Sequence, residues 1–476
     1  MSIIIIGAGE IGYHIANELS LENRDVTLID VNRERISFLD ERGEDLNIIN
    51  GSGSNPEILR QAGIERAEML IAVANKDEIN ITACHLASQM NKNIMKIARI
   101  RDVDTQYYGK FIKGDPPIID SIINPEELCA YKIANLTMYP IASDMNFFFN
   151  KKAVLLGMHV VDGNPLIGKS LIDLGKERIR NQFKALIAAV IRENEAIVPS
   201  GTDIIHKGDI IYMVTLSNEI ERLVHFFHTD DANSVKDITI YGGSNIGYYL
   251  ARIFEKESKS LIENGDGNGG INSNIFTRSY YNIKIIEADQ NRAKFLSNNL
   301  KKPKIFRGDV LEKAIFENER IGDSDVFIAT SADQEDNIMS TLYAKSYGVK
   351  KGIAVLSRKS FAPLVRNLGI DAAIFPQQVA VAKILESIRK GKILSVVLLN
   401  QNDIEVDEIL ALKGSKLIGV PLKEVKLPRG ALVIAIEKKN GVVIIPDGNS
   451  IIEVEDKVAI ITRKNRVKAI EKFTSN

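Results

Sequence analysis

The chain is 476 residues long, room for roughly three or four domains. Apolar residues make up 45% and charged residues 26%, the balance of an ordinary soluble globular protein. A net charge of −1 excludes a general basic field for nucleic acid or anionic lipid, and no apolar run approaches the roughly 18 residues of a membrane helix.

The opening MSIIII has neither the basic n-region nor the cleavage site of a secretory signal, and predicts a buried strand. It feeds GAGEIG, and YHIANELSLEN follows with helical periodicity. Strand, glycine turn and helix N-terminus make a pyrophosphate site. Gly7 permits the tight turn, Gly9 brings the backbone close to the phosphates, and Gly12 lets the helix pack on the sheet. Free N–H groups and the helix dipole supply the positive end. The next strand, VTLID, ends in Asp30, whose carboxylate can accept both ribose hydroxyls of an adenosine and would repel a 2′-phosphate. That favours NAD over NADP. Arg33 and Arg35, just beyond it, are expected to be solvated helix residues, with contact to adenine as the alternative. Cys84 and Cys129 lie in apolar, helix-like contexts and are expected to be buried free thiols, suited to a reducing cytoplasm.

After the helical pattern INPEELCAYKIANL, the segment from about Lys151 to Phe227 turns to short strands such as ALIAAVI and DIIYMV. Between these, IVPSGTDIIHKGD reads as strand, turn, strand, turn. Helix-like VHFFHTDDANSVKD is the expected junction to a second copy of everything before it. In that copy ITIYGGSNIG repeats the glycine turn, Gly7 and Gly12 matching Gly242 and Gly247 at an offset of 235. From Val26 the offset becomes 257, pairing VTLIDVNRERISFL with IKIIEADQNRAKFL, Gly51 with Gly308, Asn80 with Asn337 and Arg101 with Arg358. A polar, glycine-rich insertion at about 257–281 accounts for the change and is expected to be a mobile surface loop. A second β-rich stretch follows from about Val396.

The expected fold class is therefore α/β: two Rossmann-like, doubly wound parallel-sheet domains, each followed by a small β-rich α+β domain. The expected boundaries are 1–148, 149–230, 236–395 and 396–476. In the second glycine turn Ser244 stands where the closest backbone approach is needed, while Glu287 keeps the ribose acid one carbon longer. That site is expected to be altered or weaker rather than absent.

The ordered series of GAGEIG with Asp30, NGSGSNPEILRQAGIERAEMLIAVANKDEIN and IARIR, then GDVLEKAIF, FIATSADQEDNIMSTLYAK and FPQQVAVAKIL, resembles the TrkA family, whose domains are related to the RCK (regulator of K⁺ conductance) domains of potassium channels. The resemblance spans essentially the whole chain. It implies that the nucleotide meets Gly7, Ala8, Gly9, Glu10, Ile11 and Gly12, then Asp30, the Gly51-Ser52 turn, Val73-Ala74 and Arg99. In the second half the matching positions are Gly242, Gly243, Ser244, Asn245, Ile246 and Glu287. Two departures stand out: Ala74 replaces a frequent hydroxyl residue, and Leu356 falls at the offset of Arg99, removing a phosphate clamp. A mononucleotide would ask less of the second site than a dinucleotide.

The resemblance further implies NAD(H) as the ligand, with ATP or ADP as alternatives, and a membrane-embedded, TrkH/TrkG-like potassium transporter subunit as the partner. A homotetramer, peripheral on the inner face of the cell membrane, is the implied assembly. The rival reading is an NAD-dependent oxidoreductase, which would need a substrate pocket and a general acid or base at the nicotinamide. None of His14, His85, His159, His206, His225 and His228 sits in a catalytic sequence setting, and no residues are expected to be catalytic or to bind a metal. A transcription factor would need a basic reading element, and none is evident.

Overall fold

The structure is a computed structural model that describes residues 2–21, 23–41, 46–101, 117–176, 184–193, 195–227, 235–263, 281–388, 393–399, 404–463 and 470. The first module alternates strand and helix: β1 (Ser2–Ile6), α1 (Glu10–Leu21), β2 (Asp25–Asp30), α2 (Arg33–Asp40), β3 (Asn47–Asn50), α3 (Pro56–Gln61), β4 (Met69–Ala72), α4 (Asp77–Met90), β5 (Met95–Arg99) and β6 (Ser121–Ile123). Its strands pair in the order β3-β2-β1-β4-β5-β6, every pair parallel. The central strands are covered on both faces, so they read as unbroken aliphatic runs instead of alternating: Ile3, Ile4 and Ile5 are fully buried, as are Leu70, Ile71 and Ala72. Asn32 and Asn55 start α2 and α3 by accepting the Arg35 and Glu57 amides, which would otherwise be orphaned in the first turn. The order reverses between β1 and β4, and that switch point opens the crevice at the carboxyl ends of the strands.

Helix α5 (Pro125–Met138) leads to β7 (Ala142–Phe148), β8 (Ala153–His159), α6 (Leu171–Lys176), β9 (Leu186–Arg192), β10 (Glu195–Ile197), β11 (Ile210–Leu216) and α7 (Ile220–Phe227). These strands form an antiparallel sheet in the order β10-β9-β11-β8-β7. The strand expected within TDIIH makes only a single bridge, Ser170 to Ile204. Residues 228–234 of the expected junction lie outside the described residues, His228 among them.

The second α/β module repeats the first: β12 (Asp237–Tyr241), α8 (Asn245–Glu263), β13 (Asn282–Glu287), α9 (Gln290–Asn299), β14 (Lys304–Arg307), α10 (Lys313–Asn318), β15 (Val326–Ala329), α11 (Gln334–Ser346), β16 (Lys351–Val355), α12 (Ala362–Asn367), β17 (Ala372–Ile374) and α13 (Pro376–Ile388). Its parallel order, β14-β13-β12-β15-β16-β17, is that of the first sheet. Helix α8 continues through Glu263, so the start of the expected insertion loop is helical, and 264–280 lie outside the described residues. The last sheet, β18-β19-β22-β20-β21, is antiparallel and consists of β18 (Ile393–Leu399), β19 (Ile404–Leu410), β20 (Ala431–Glu437), β21 (Val443–Ile444) and β22 (Lys457–Arg463).

Packing groups Met1–Leu128 with Pro376–Lys390, and Cys129–Phe375 with Gly391–Asn476. In the first unit α13, encoded far along the chain, packs on α1 and edge strand β6. In the second unit the two antiparallel sheets share one apolar core, with Phe148, Phe149, Leu155 and Val214 of one beside Leu399, Ile404, Val406 and Ile461 of the other. Lys152 Nζ reaches Glu437 Oε1 at 2.7 Å and the Gly441 carbonyl at 2.8 Å, and the Phe149 amide donates to Glu408 Oε2 at 3.1 Å. Also in this unit, the buried Lys351 at the start of β16 donates to the carbonyls of Leu136, Tyr139 and Ala142 at 2.7, 3.1 and 2.7 Å, closing the end of α5. Cys84 and Cys129 are both buried and neither is joined in a disulfide, and burial raises the Cys84 pKa to about 12.

Candidate nucleotide-binding site

The first crevice is built around a turn held from three directions. Gly7 N donates to Ile29 O at 2.8 Å, Ala8 N donates to Asp30 Oδ2 at 2.6 Å, and Arg35 Nε donates to Ala8 O. Gly7 has φ +99°, and a Cβ on it would lie 2.9 Å from the backbone of Ala74, so β1 and β4 can come together there only through glycine. A Cβ on Gly12 would sit 1.8 Å from Gly7 O, which packs the first turn of α1 onto the glycine turn itself. Gly9 differs from both: a Cβ there would meet nothing within 4 Å. Its missing side chain leaves open space above bare main chain.

Asp30 is an anchor as well as a candidate ribose ligand, since Oδ1 accepts from Asn32 N at 2.8 Å while Oδ2 holds the turn. Each carboxylate oxygen has a further lone pair for a hydroxyl. Gly51 N donates to Asp30 O at 2.9 Å, and Ser52 and Ser54 share a hydroxyl contact at 2.8 Å, which puts the Gly51-Ser52 turn beside the same acid. Val73 N donates to Ile6 O at 2.8 Å, so Val73 and Ala74 continue β4 alongside the end of β1.

Arg99, at the end of β5, is 8% exposed. Its Nη2 lies 3.9 Å from Glu126 Oε1, and Arg101 Nε lies 3.3 Å from the same oxygen. Burial raises the Glu126 pKa, with the Arg101 charge working against it. The expectation of Arg33 and Arg35 as solvated residues fails for Arg35, which is spent on the glycine turn, while Arg33 Nε donates to Asn50 Oδ1 at 3.2 Å. Sequence reasoning also missed Asn80. Fully buried on α4, it accepts from Ala74 N at 2.9 Å and donates to Ala74 O at 3.0 Å and Arg99 O at 2.8 Å, tying the ends of β4 and β5 together. The repeat of Asn80 as Asn337 was the available signal.

The second crevice keeps the frame. Gly243 N donates to Glu287 Oε2 at 2.6 Å, Asp289 N donates to Glu287 Oε1 at 2.8 Å, and Asn337 bonds Ser331 N, Ser331 O and Val355 O at 2.9, 3.1 and 2.9 Å. Those bonds correct the alignment: Asn80 reaches the β5 carbonyl 19 residues on and Asn337 the β16 carbonyl 18 residues on. The counterpart of Arg99 is Val355, not Leu356, and no guanidinium stands there. Ser244 turns its hydroxyl to Gly247 N at 3.4 Å, occupying the side that Gly9 leaves open. Ser331 restores the hydroxyl that Ala74 lacks and donates to Asp333 O at 2.9 Å. Acids gather at this edge, and burial together with Asp333, Asp309 and Glu335 raises the Asp336 pKa.

His14 lies in α1, His85 in α4, His159 at the end of β8 and His225 in α7, dispersed over the fold. Among the described residues no group of three or more His, Cys, Asp or Glu side chains could hold a metal ion, and no helix is long and apolar enough to cross a membrane.

The TrkA-N domain matches residues 3–125 and 271–376, and the TrkA-C domain matches 156–228 and 408–475. The chain belongs to the TrkA family. The Trk system potassium uptake protein TrkA of Vibrio alginolyticus is 33% identical, the alignment covering 99% of this chain and 98% of that protein. Its homolog 1 from Methanosarcina mazei is 31% identical over 99% of this chain and all of that protein. Among solved structures, the GsuK RCK domain has a TM-score of 0.60 at 15% identity, covering 99% of this chain and 94% of that one. The GsuK channel bound to NAD has a TM-score of 0.59 at 14% identity, covering 99% and 78%. At those identities the likeness establishes the fold: tandem RCK-type units, each a Rossmann sheet of the nucleotide-binding class followed by a small antiparallel sheet.

Proposed function

We propose that this TrkA-family chain is a regulatory subunit of potassium uptake that binds NAD(H), and ATP or ADP, in its α/β modules and gates a TrkH/TrkG-like membrane subunit. The observation that carries this is the contrast between the two turns, one open above Gly9 and one partly filled by Ser244, on frames that share the strand order, the acid on the turn amide and the buried asparagine. Two unequal sites on a duplicated frame suit sensing of ligand levels better than turnover. The full-length likeness to proteins named for potassium uptake, and the fold likeness to a channel solved with NAD, support the same assignment.

In the first site Gly7 to Gly12 hold the diphosphate, Asp30 the ribose, and the Gly51-Ser52 turn, Val73-Ala74 and Arg99 the remainder. In the second, Gly242 to Ile246 and Glu287 hold a smaller ligand such as ADP. A ligand shifts gating only by its differential affinity for two arrangements of the modules, and a tenfold preference is worth about 1.4 kcal/mol. Assembly is a homotetramer of tandem chains, peripheral on the inner face of the membrane, and the chain itself is not an enzyme. Potassium flux in vesicles containing the partner subunit, measured with and without the chain and with each nucleotide added, tests the proposal. Flux that ignores both chain and nucleotide would refute it, and NADH oxidation with 2-oxo acids or aldehydes would favour an oxidoreductase instead.

A further inference from the structure

Two arginines outside the set of nucleotide-contacting residues make the same unusual bond in both halves. Arg35 is the third residue of α2, and Arg292 is the third residue of α9. Each helix is started by a side-chain cap whose acceptor takes that arginine's own amide: Asn32 Oδ1 at 3.1 Å and Asp289 Oδ1 at 2.7 Å. From that fixed start, Arg35 Nε donates to Ala8 O and Arg292 Nε donates to Gly243 O, the carbonyl of the second residue of each glycine turn. Arg292 is held further, with Nη2 on Asn245 Oδ1 at 3.0 Å and its guanidinium 4.6 Å from the centre of the Phe295 ring. Burial lowers the Arg292 pKa, yet a guanidinium keeps its charge across the physiological range.

The bond bears on the face of the turn opposite to it. A peptide is planar and trans, so its carbonyl and the following N–H point in opposite directions. Fixing Ala8 O therefore fixes the direction of Gly9 N–H, at the start of the run of main-chain donors that precede the first i→i−4 bond of α1, Tyr13 N to Gly9 O. The Gly7 and Ala8 amides are already tied to Ile29 O and Asp30 Oδ2, so the arginine is the third restraint on one short turn.

We infer that Arg35 and Arg292 are positioning residues for the two nucleotide sites, each setting the phosphate turn from behind so that its N–H groups are aimed before a ligand arrives. This rests on the nucleotide-binding proposal above. Such preorganisation lowers the ordering cost of binding, and it acts on whatever the N–H groups hold. A diphosphate depends on them, whereas adenosine alone depends on the ribose carboxylate. Loss of the arginine separates the two ligands.

The test is calorimetric titration of the full chain with ADP and with adenosine, in the wild type, Arg35→Met and Arg35→Lys. The first-site signal is taken as the part that Asp30→Ala removes. Arg35→Met is expected to weaken ADP about tenfold, or about 1.4 kcal/mol, while adenosine stays within about twofold. Arg35→Lys, which keeps a donor without the planar fork, is expected to recover part of the loss. Retained adenosine binding also reports that the variant crevice is folded. Arg292→Met is expected to repeat the pattern in the remaining signal. Equal loss of both ligands would make Arg35 a general structural residue, and unchanged ADP affinity would remove it from the site; either overturns the inference alone. A wild-type chain that binds neither ligand would overturn the nucleotide-binding proposal and the inference with it.

Discussion

Replacing Asn80 by alanine removes three hydrogen bonds at one stroke: those from Ala74 N and to the carbonyls of Ala74 and Arg99, all between 2.8 and 3.0 Å. Asn80 is fully buried, so water does not readily replace them. At a net of about 1 kcal/mol each the loss is about 3 kcal/mol, a sizeable part of the roughly 5–15 kcal/mol that holds a domain together. A chain of two compact units is not expected to unfold in a single step, so the measurement should be local. Native-state hydrogen exchange fits: the Ala74 amide loses its acceptor, and an opening eased by about 3 kcal/mol exchanges roughly a hundredfold faster. Asn80→Asp, which keeps the acceptor and loses both donors, is expected to fall between. The matched Asn337→Ala should free the Ser331 amide in the same way while leaving Ala74 protected. Wild-type exchange at Ala74 in Asn80→Ala would refute the assignment of Asn80 as the tie between the strand ends.

The glycines separate folding from binding. Gly9→Ala is expected to leave hydrogen exchange in the first sheet unchanged, because its Cβ meets nothing, and to weaken ADP binding at least tenfold; Gly12→Ala, whose Cβ collides with Gly7 O, is expected to speed that exchange at least tenfold. Ser244→Gly should strengthen ADP binding at the second site severalfold by equilibrium dialysis, and an unchanged affinity would show that the hydroxyl is not the obstacle. Lys351 predicts a pH dependence. Burial pushes its ammonium from 10.5 down to about 7, with Asp371 opposing and Lys345 reinforcing the shift. Between those values the unfolded chain binds more protons than the folded one. The group's contribution to stability is thus fully present above about 10.5 and lost as pH falls through about 7. Melting curves across that window should rise less with pH in Lys351→Met than in the wild type, and equal slopes would dispose of the claim.

Both parallel sheets were legible because the main signal for each is local: an aliphatic strand, a glycine turn and an acid at a set distance, written twice. The crevice was legible for the same reason, since Gly7, Asp30, Gly51 and Ala74 lie at strand ends that the Rossmann order must bring together. What escaped depended on partners that periodicity does not reveal. Arg35 looks like any charged residue in a first helical turn until the main-chain oxygen it serves is located. The slip from Val355 to Leu356 arose because the stretch between the buried asparagine and the strand end is one residue shorter in the second half, and a constant offset runs past it. Lys351 was invisible for a different reason. Met95 holds the same register in the first sheet, Met69 facing Met95 as Val326 faces Lys351, so the repeat carries no hint of a buried ammonium.

The common interior of the two antiparallel sheets also constrains how such a molecule can change over time. A gene cut between the repeats would yield fragments each baring an oily flank, with Lys152 robbed of Glu437 and the Phe149 amide robbed of Glu408. Once copies are cemented in this way, separation is penalised, yet each crevice lies at the strand ends of its own parallel sheet, apart from the residues of that seam. The seam therefore leaves the two glycine turns free to differ, as they do where Ser244 takes the place in the second that Gly9 has in the first.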